Sequence, residues 1–291
     1  MSRYGLISIA WFSALLSSIF IFFSSAVDSL LGFWVFLELA GLAILPSFFI
    51  MPVVSLSGSY DGLLLYIVVS GLSSVFLVSG IVVSELYYFV LVGFLIKLGI
   101  FPFMVWVYRV YANSNWIFIF LLSVVMKFPV LYFGYLFGGS LSLYIVLDCC
   151  ITIFVCSVVF WCFSQSWEFV WVHMSLSSVS TLLVVCFSAD VAVCWFIYFY
   201  YGVWAVFCIL FFYNFVGLVC SSWRIWGFCF LLLVTPVSMP LFYKLGVSLA
   251  LFYYSGYLLL VWAVYSFSEQ FFLFKLCGDT VISGVSNTWF N

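Results

Sequence analysis

Four charged side chains sit inside otherwise apolar runs of this 291-residue sequence: Glu38 in FWVFLELAGL, Lys97 in VGFLIKLGIF, Lys127 in LSVVMKFPVL and Lys244 in PLFYKLGVSL. A charge at the centre of a lipid-spanning helix costs roughly 2.5–3.5 kcal/mol on insertion scales, so such residues face a protein interior or a watered cavity and have a task there. The three bases are all lysines. A buried amine can give up its proton, which a guanidinium does not, so lysine suits proton transfer. A carboxylate facing one of these lysines would hold it protonated, and moving either partner would release the proton, so an acid and several amines make an electrostatic switch. The structural alternative is that each charge merely staples two helices together. That alternative weakens as the charges multiply over different helices.

Helix-breaking residues accompany the lysines. Lys97 precedes Gly99 and Pro102, Lys127 precedes Pro129, and Lys244 follows Pro236 and Pro240. Proline removes a backbone hydrogen bond, and with glycine it can interrupt a membrane helix and free carbonyls for protons, waters or cations. Discontinuous helices are therefore expected near Lys97–Pro102 and Pro236–Lys244, while Pro129 taken alone reads as a kink. His173, the one histidine, forms a polar stripe with Ser177 and Thr181 at helical spacing. The stripe is either a watered path or, more commonly for Ser and Thr in membranes, a packing seam. Asp148 lies about a third of the way into its apolar run and is either a fifth functional charge or a group reaching the headgroups.

The elements that must position these groups follow from composition. With 68% hydrophobic and 5% charged residues, against roughly 25% charged in a soluble domain, no water-soluble fold can be built. Apolar runs at 4–26, 30–53, 62–83, 87–107, 116–137, 142–163, 169–188, 191–214, 225–248 and 250–268 predict an all-α bundle of about ten transmembrane helices. One bundle over 1–268 and a short tail over 269–291 are expected, with no linker long enough to separate domains. Met1-Ser2-Arg3-Tyr4 runs straight into the first apolar stretch, so no signal or transit peptide is expected. Arg3, Arg109, Arg224 and Lys275 follow zero, four, eight and ten crossings, all on one side. The positive-inside rule then puts both termini on the matrix or cytoplasmic face.

A net charge of −2 offers nothing to nucleic acid. Most cysteines, such as Cys149, Cys150, Cys156, Cys162 and Cys208, fall inside apolar runs and read as small packing residues; none is spaced with histidine as a metal site. Abundant Phe, Tyr, Trp, Cys, Val and Gly beside scarce Pro, His and Gln imply a T- and G-rich coding strand, as in small organellar genomes. One histidine is too few for a haem- or copper-bearing subunit. The single, scattered loop charges do not make the acidic cluster that a membrane-embedded transferase needs. A secondary cation/proton antiporter or solute carrier acting alone stays open, since broken helices and midplane charges describe those proteins too.

The same residues carry a family resemblance. Ile96-Lys97-Leu98-Gly99-Ile100-Phe101-Pro102-Phe103-Met104-Val105-Trp106 resembles the K-L-G-x-x-P-F-x-x-W segment of the antiporter-like membrane-arm subunits of respiratory complex I. Trp34-Val35-Phe36-Leu37-Glu38 with Pro46 resembles the W-x-x-x-E helix, and Leu176-Ser177-Ser178-Val179-Ser180 resembles the Ser-Ser segment. Lys127 with Pro129, and Ser238-Met239-Pro240-Leu241-Phe242-Tyr243-Lys244, resemble the later lysine helices. In order and spacing over residues 30–248 the chain is similar to the mitochondrially encoded NADH dehydrogenase subunit 2 branch of that family. It departs from the pattern at Met104, Tyr108-Arg109, Leu65, Trp171-Val172 and Thr181. The resemblance implies a multi-pass subunit of the mitochondrial inner membrane with both termini in the matrix, packed among other membrane-arm subunits and lipids. It further implies that the chain binds no NADH, FMN, iron–sulfur cluster, ubiquinone or metal, and belongs to the enzyme NADH:ubiquinone oxidoreductase as a proton-translocating part. Glu38 and Lys97 would form a charge pair, Lys127 the central relay, and Lys244 the step toward the exit.

Overall fold

A computed structural model describes residues 3–50, 56–137, 142–164, 166–215 and 222–280. The part of the expected tail beyond 280 lies outside the described residues. Every regular element within them is helical: α1 (Arg3–Ser25), α2 (Leu30–Ala43), α3 (Leu56–Val82), α4 (Tyr88–Leu98), α5 (Val105–Ala112), α6 (Trp116–Ser123), α7 (Pro129–Phe137), α8 (Ser142–Phe163), α9 (Trp167–Ser188), α10 (Val191–Phe215), α11 (Ser222–Leu231), α12 (Met239–Tyr254) and α13 (Gly256–Thr280). Short 3-10 turns follow α2 and α3 and join α6 to α7. Among the described residues, seven segments are long and apolar enough to cross a bilayer. Three pairs, α4 with α5, α6 with α7 and α11 with α12, are halves of interrupted crossings. With each pair counted once, the described helices make ten segments that match the ten apolar runs, and the chain is a multi-pass membrane protein.

Local chemistry starts and stops these helices. Ser29 caps α2, its hydroxyl accepting from the Gly32 amide at 3.2 Å. Asn115 caps α6 by accepting from the Phe118 amide at 2.8 Å, and its own amide donates to the Ser47 carbonyl at 2.7 Å. Such caps answer orphan backbone groups that lipid cannot satisfy.

At the centre stands α9, buried without interruption from Val170 to Val185 and in contact with α5, α7, α8, α10 and α12. Because it faces protein on every side, it can carry His173, Ser175, Ser177, Ser178, Ser180 and Thr181 at no cost in lipid exposure. Small side chains there also let the surrounding helices approach closely. The same logic holds at Gly93 of α4, where a Cβ would meet the Ser73 carbonyl of α3 at 2.8 Å.

The last two crossings differ from the expected boundaries. α12 extends to Tyr254, and α13 runs from Gly256 to Thr280, past 268 where a tail was expected to begin. The polar run Ser266, Ser268, Glu269, Gln270 resembles a span end in sequence. It is instead turned inward: Ser268 donates to the Ser157 carbonyl of α8 at 2.6 Å, and Gln270 reaches the end of α11.

Candidate functional site: three lysines at three helix breaks

The first break follows Lys97. α4 ends because Gly99 takes the left-handed conformation (φ 70°), and its amide with that of Ile100 closes back on Ile96 and Leu95. The backbone groups freed here find side chains: the Trp106 indole donates to the Ile96 carbonyl at 3.0 Å, and the Phe101 amide donates to Thr152 Oγ1 of α8 at 3.0 Å. Pro102 lies in the unwound stretch, in a cis peptide with Phe101. Lys97, in the last turn of α4, sits where the helix dipole favours a cation. Its Nζ pairs with Glu38 Oε1 of α2 at 2.5 Å.

A second break holds Lys127, and here Pro129 does more than kink a helix. α6 stops at Ser123, a 3-10 turn covers Val125–Lys127, and Pro129 opens α7. Two tyrosines of α10 take up carbonyls left at the break, Tyr198 donating to the Val124 carbonyl at 3.1 Å and Tyr201 to that of Ser123 at 3.3 Å. The Lys127 side chain, 3% exposed, is seated among neutral oxygens. Nζ donates to the Ser175 carbonyl, Ser178 Oγ and the Tyr201 hydroxyl, each at 2.8 Å. It also lies 4.3 Å from the Tyr201 ring centroid, where the π face attracts a cation. Among the described residues no carboxylate pairs with it. A seat made of hydroxyl and carbonyl dipoles supports an ammonium without a fixed counter-charge, so a proton can leave without stranding a buried anion.

Between these two lysines lies a cavity of about 40 Å³ lined by Lys97 and Lys127 together with Tyr66, Ser70, Tyr111 and Ser175. That volume has room for about two or three waters, and the lysines, tyrosines and serines are the polar groups in an otherwise mostly apolar lining.

The third break precedes Lys244. α11 ends at Leu231, whose carbonyl accepts from the Trp204 indole at 2.7 Å. Gln270 of α13 then spans the unwound chain, accepting from the Val234 amide at 2.8 Å and donating to the Leu232 carbonyl at 3.3 Å. Pro236 lies in the turn, Val237 adopts φ 74°, and Pro240 stands in the first turn of α12 where its missing N–H costs nothing. A β-branched residue at positive φ is strained, which marks this loop as held by its surroundings. Lys244 pairs at 2.8 Å with Glu269 of α13, a carboxylate only 2% exposed.

Polar groups also bridge Lys127 and the third break. The Tyr243 hydroxyl of α12 lies beside Ser178 and Thr181 of α9, and Tyr265 of α13 lies beside Ser177. The stripe His173, Ser177, Thr181 therefore runs along the face of α9 that meets these tyrosines. Within it, Ser177 donates to the Met174 carbonyl and Thr181 to that of Ser178, while His173 Nδ1 pairs with the Tyr108 hydroxyl at 2.8 Å. Asp148 is half-buried on α8, and its carbonyl accepts from Thr152.

The fold thus brings Glu38 to Lys97, and Lys97 to Lys127 across a shared cavity. It does not bring Lys244 to any acid that sequence reasoning singles out. Glu269 is missed because it falls in a polar cluster. The apolar Phe271-Phe272-Leu273-Phe274 beyond it is the signal that could have kept the helix going. Tyr201, Ser175 and Tyr243 are missed because hydroxyls are so frequent in this sequence that none stands out.

No protein-family model and no curated protein matches the chain. In three dimensions it is similar to a chain in the structure of the Mrp complex from Dietzia sp., with a TM-score of 0.75 and 16% identity over 92% of this chain and 59% of that one. It is also similar to a chain of the membrane-bound sulfane sulfur reductase, described as an archaeal respiratory membrane complex, with a TM-score of 0.69 and 14% identity over 88% of this chain and 63% of that one. The chain thus spans about three fifths of the length of these solved chains. At such identities the likeness is one of architecture: this chain has the helical-bundle fold found in those membrane complexes.

Proposed function

We propose that the chain is a proton-translocating membrane-arm subunit of a respiratory NADH:ubiquinone oxidoreductase in the mitochondrial inner membrane. In this role Glu38 holds Lys97 as an ammonium. Opening that pair lets Lys97 pass its proton through the waters of the intervening cavity to Lys127. Lys127 returns it across the Ser178, Tyr201 and Tyr243 hydroxyls toward Lys244 and the exit side. Redox chemistry elsewhere in the assembly drives the cycle by changing the electrostatics along the membrane arm. NADH, flavin, iron–sulfur clusters and ubiquinone are handled by other subunits, and neighbouring membrane-arm subunits are the partners.

The observation that carries this function is the cavity shared by Lys97 and Lys127, because helix-stapling charges have no use for a water-sized space between them. The fold likeness to a chain of a respiratory membrane complex supports the respiratory setting. The test is to introduce Lys127→Met and Glu38→Gln at the matching positions of a culturable relative and to measure proton pumping alongside NADH oxidation. A lowered proton-to-electron ratio in both is expected, and an unchanged ratio in both sinks the relay. Purification of the chain alone, with ion-dependent stabilisation and no NADH-oxidising partner, would favour a solitary cation/proton antiporter instead.

A further inference from the structure

A second carboxylate–amine pair lies at the far end of the polar path. Glu269 sits midway along α13, opposite Lys244 in the second turn of α12, with Nζ and Oε2 2.8 Å apart. Among the described residues its other oxygen, Oε1, is buried without a hydrogen-bond partner, and Lys244 Nζ has no polar partner there beyond this ion pair. A buried carboxylate oxygen that no protein group meets is costly in a purely structural ion pair, which is stable when every lone pair is met. The titratable groups around Glu269 are Lys244 and Tyr243 of α12, Cys208 of α10 and Tyr265 of its own helix. Next along α13, Gln270 clamps the unwound chain between α11 and α12 by its two backbone hydrogen bonds. Consecutive residues of one helix therefore hold the ion pair and the break.

We infer that Glu269 is the counter-carboxylate of Lys244 in a second acid–amine gate, matching Glu38 and Lys97 on the other side of Lys127, and that α13 ties the state of this gate to the α11–α12 break through Gln270. This rests on the proton-relay function proposed above. A proton arriving from Lys127 goes onto the Glu269 carboxylate, making it a neutral acid. The Lys244 ammonium, now unpaired, gives its own proton up toward the exit. The acid then returns its proton to the amine and the pair re-forms, so one proton enters and one leaves.

The experiment places Glu269→Gln, Glu269→Asp and the double variant Lys244→Met/Glu269→Gln in the assembled complex, with Lys127→Met alongside, and reads the proton-to-electron ratio. A packing or hydrogen-bonding role favours the isosteric Gln over the shorter Asp, and a gating role favours Asp. The expected result is a several-fold loss with Gln and retention of most pumping with Asp. Gln pumping as well as Asp overturns the inference. Should the Gln variant fail to assemble, the double variant, which leaves no buried charge, decides. A ratio as low as that of Lys127→Met supports the gate, and a wild-type ratio overturns it. A wild-type ratio in Lys127→Met itself overturns the relay on which the gate depends, which separates the two failures.

Discussion

Three lysines in this chain occupy three different electrical situations. Lys97 and Lys244 each face a carboxylate, at 2.5 Å and 2.8 Å, and Lys127 faces only neutral oxygens. An ammonium bonded to a carboxylate is held by charge, whereas one bonded to a carbonyl and two hydroxyls is held by dipoles that tolerate its neutral form. Lys127 is therefore the member of the series whose charge can change at least cost to its neighbours. The Tyr201 hydroxyl contributes one of its three bonds and also donates to the Ser123 carbonyl. Tyr201→Phe should remove both contacts while keeping the ring. The expected outcome is a thermal destabilisation of about 1–3 kcal/mol, the cost of leaving a buried polar group unmet. Pumping should slow several-fold in vesicles while the assembled complex still forms. Normal pumping in that variant would mean that the dipole seat around Lys127 is dispensable. All three lysines near prolines are legible in the sequence, since charge in an apolar run is a local property. Their ligands are not, because a serine or tyrosine in a helix gives no sign of which neighbour it will face.

At the scale of elements, each lysine lies at an interruption, and each interruption is closed by side chains from other helices. Trp106 and Thr152 serve the first, Tyr198 and Tyr201 the second, and Trp204 and Gln270 the third. In lipid an unmet carbonyl or amide costs several kcal/mol, so a break persists only where such partners are in place. Two of the three breaks are written locally as Gly99 with Pro102 and as Pro236 with Pro240. At the second, Pro129 alone reads as a kink, and the full 3-10 interruption depends on tyrosines from α10. Gly99→Ala tests how firmly the first break is specified. The left-handed conformation costs a residue with a Cβ about 1–2 kcal/mol, and the added carbon would lie 2.3 Å from Val107 Cγ2. The variant should assemble poorly, with a lowered thermal midpoint. Adding Val107→Ala should relieve the contact and restore part of that loss, but not the backbone share. Full restoration would show that φ at this position is unimportant.

Over the whole molecule the basic residues outside the spans gather at one end, while exposed tyrosines and acids stand at both, Tyr60, Asp61, Glu168 and Tyr213 sharing the basic end. Crossing numbers place Arg109 and Lys275 at one end of the bundle. The exposed Tyr88, Tyr144, Tyr253 and Tyr257 lie at turns on the opposite end, with Asp28, Glu85 and Asp190 in the turns there. Amphipathic tyrosines suit the headgroup level, and the positive-inside rule keeps basic groups at the face from which the chain is inserted. A reporter fused to either terminus should therefore respond from the side that carries Arg109 and Lys275. An impermeant reagent should reach a tag placed in the Ser84–Leu86 turn only from the opposite side. Access to that turn and to the termini from one side would overturn the count of ten crossings.

Whether a segment enters the membrane is decided almost one helix at a time, by transfer free energy summed over about 20 residues. For that reason the all-helical class, the number of crossings, the buried charges and two of the breaks follow from order and composition alone. Which charge meets which depends on the rotation and register of one helix against another, a property of packing that no single segment contains. Only the assembled bundle puts Glu38 against Lys97, opens a water-sized space between Lys97 and Lys127, and carries α13 far enough for Glu269 to meet Lys244.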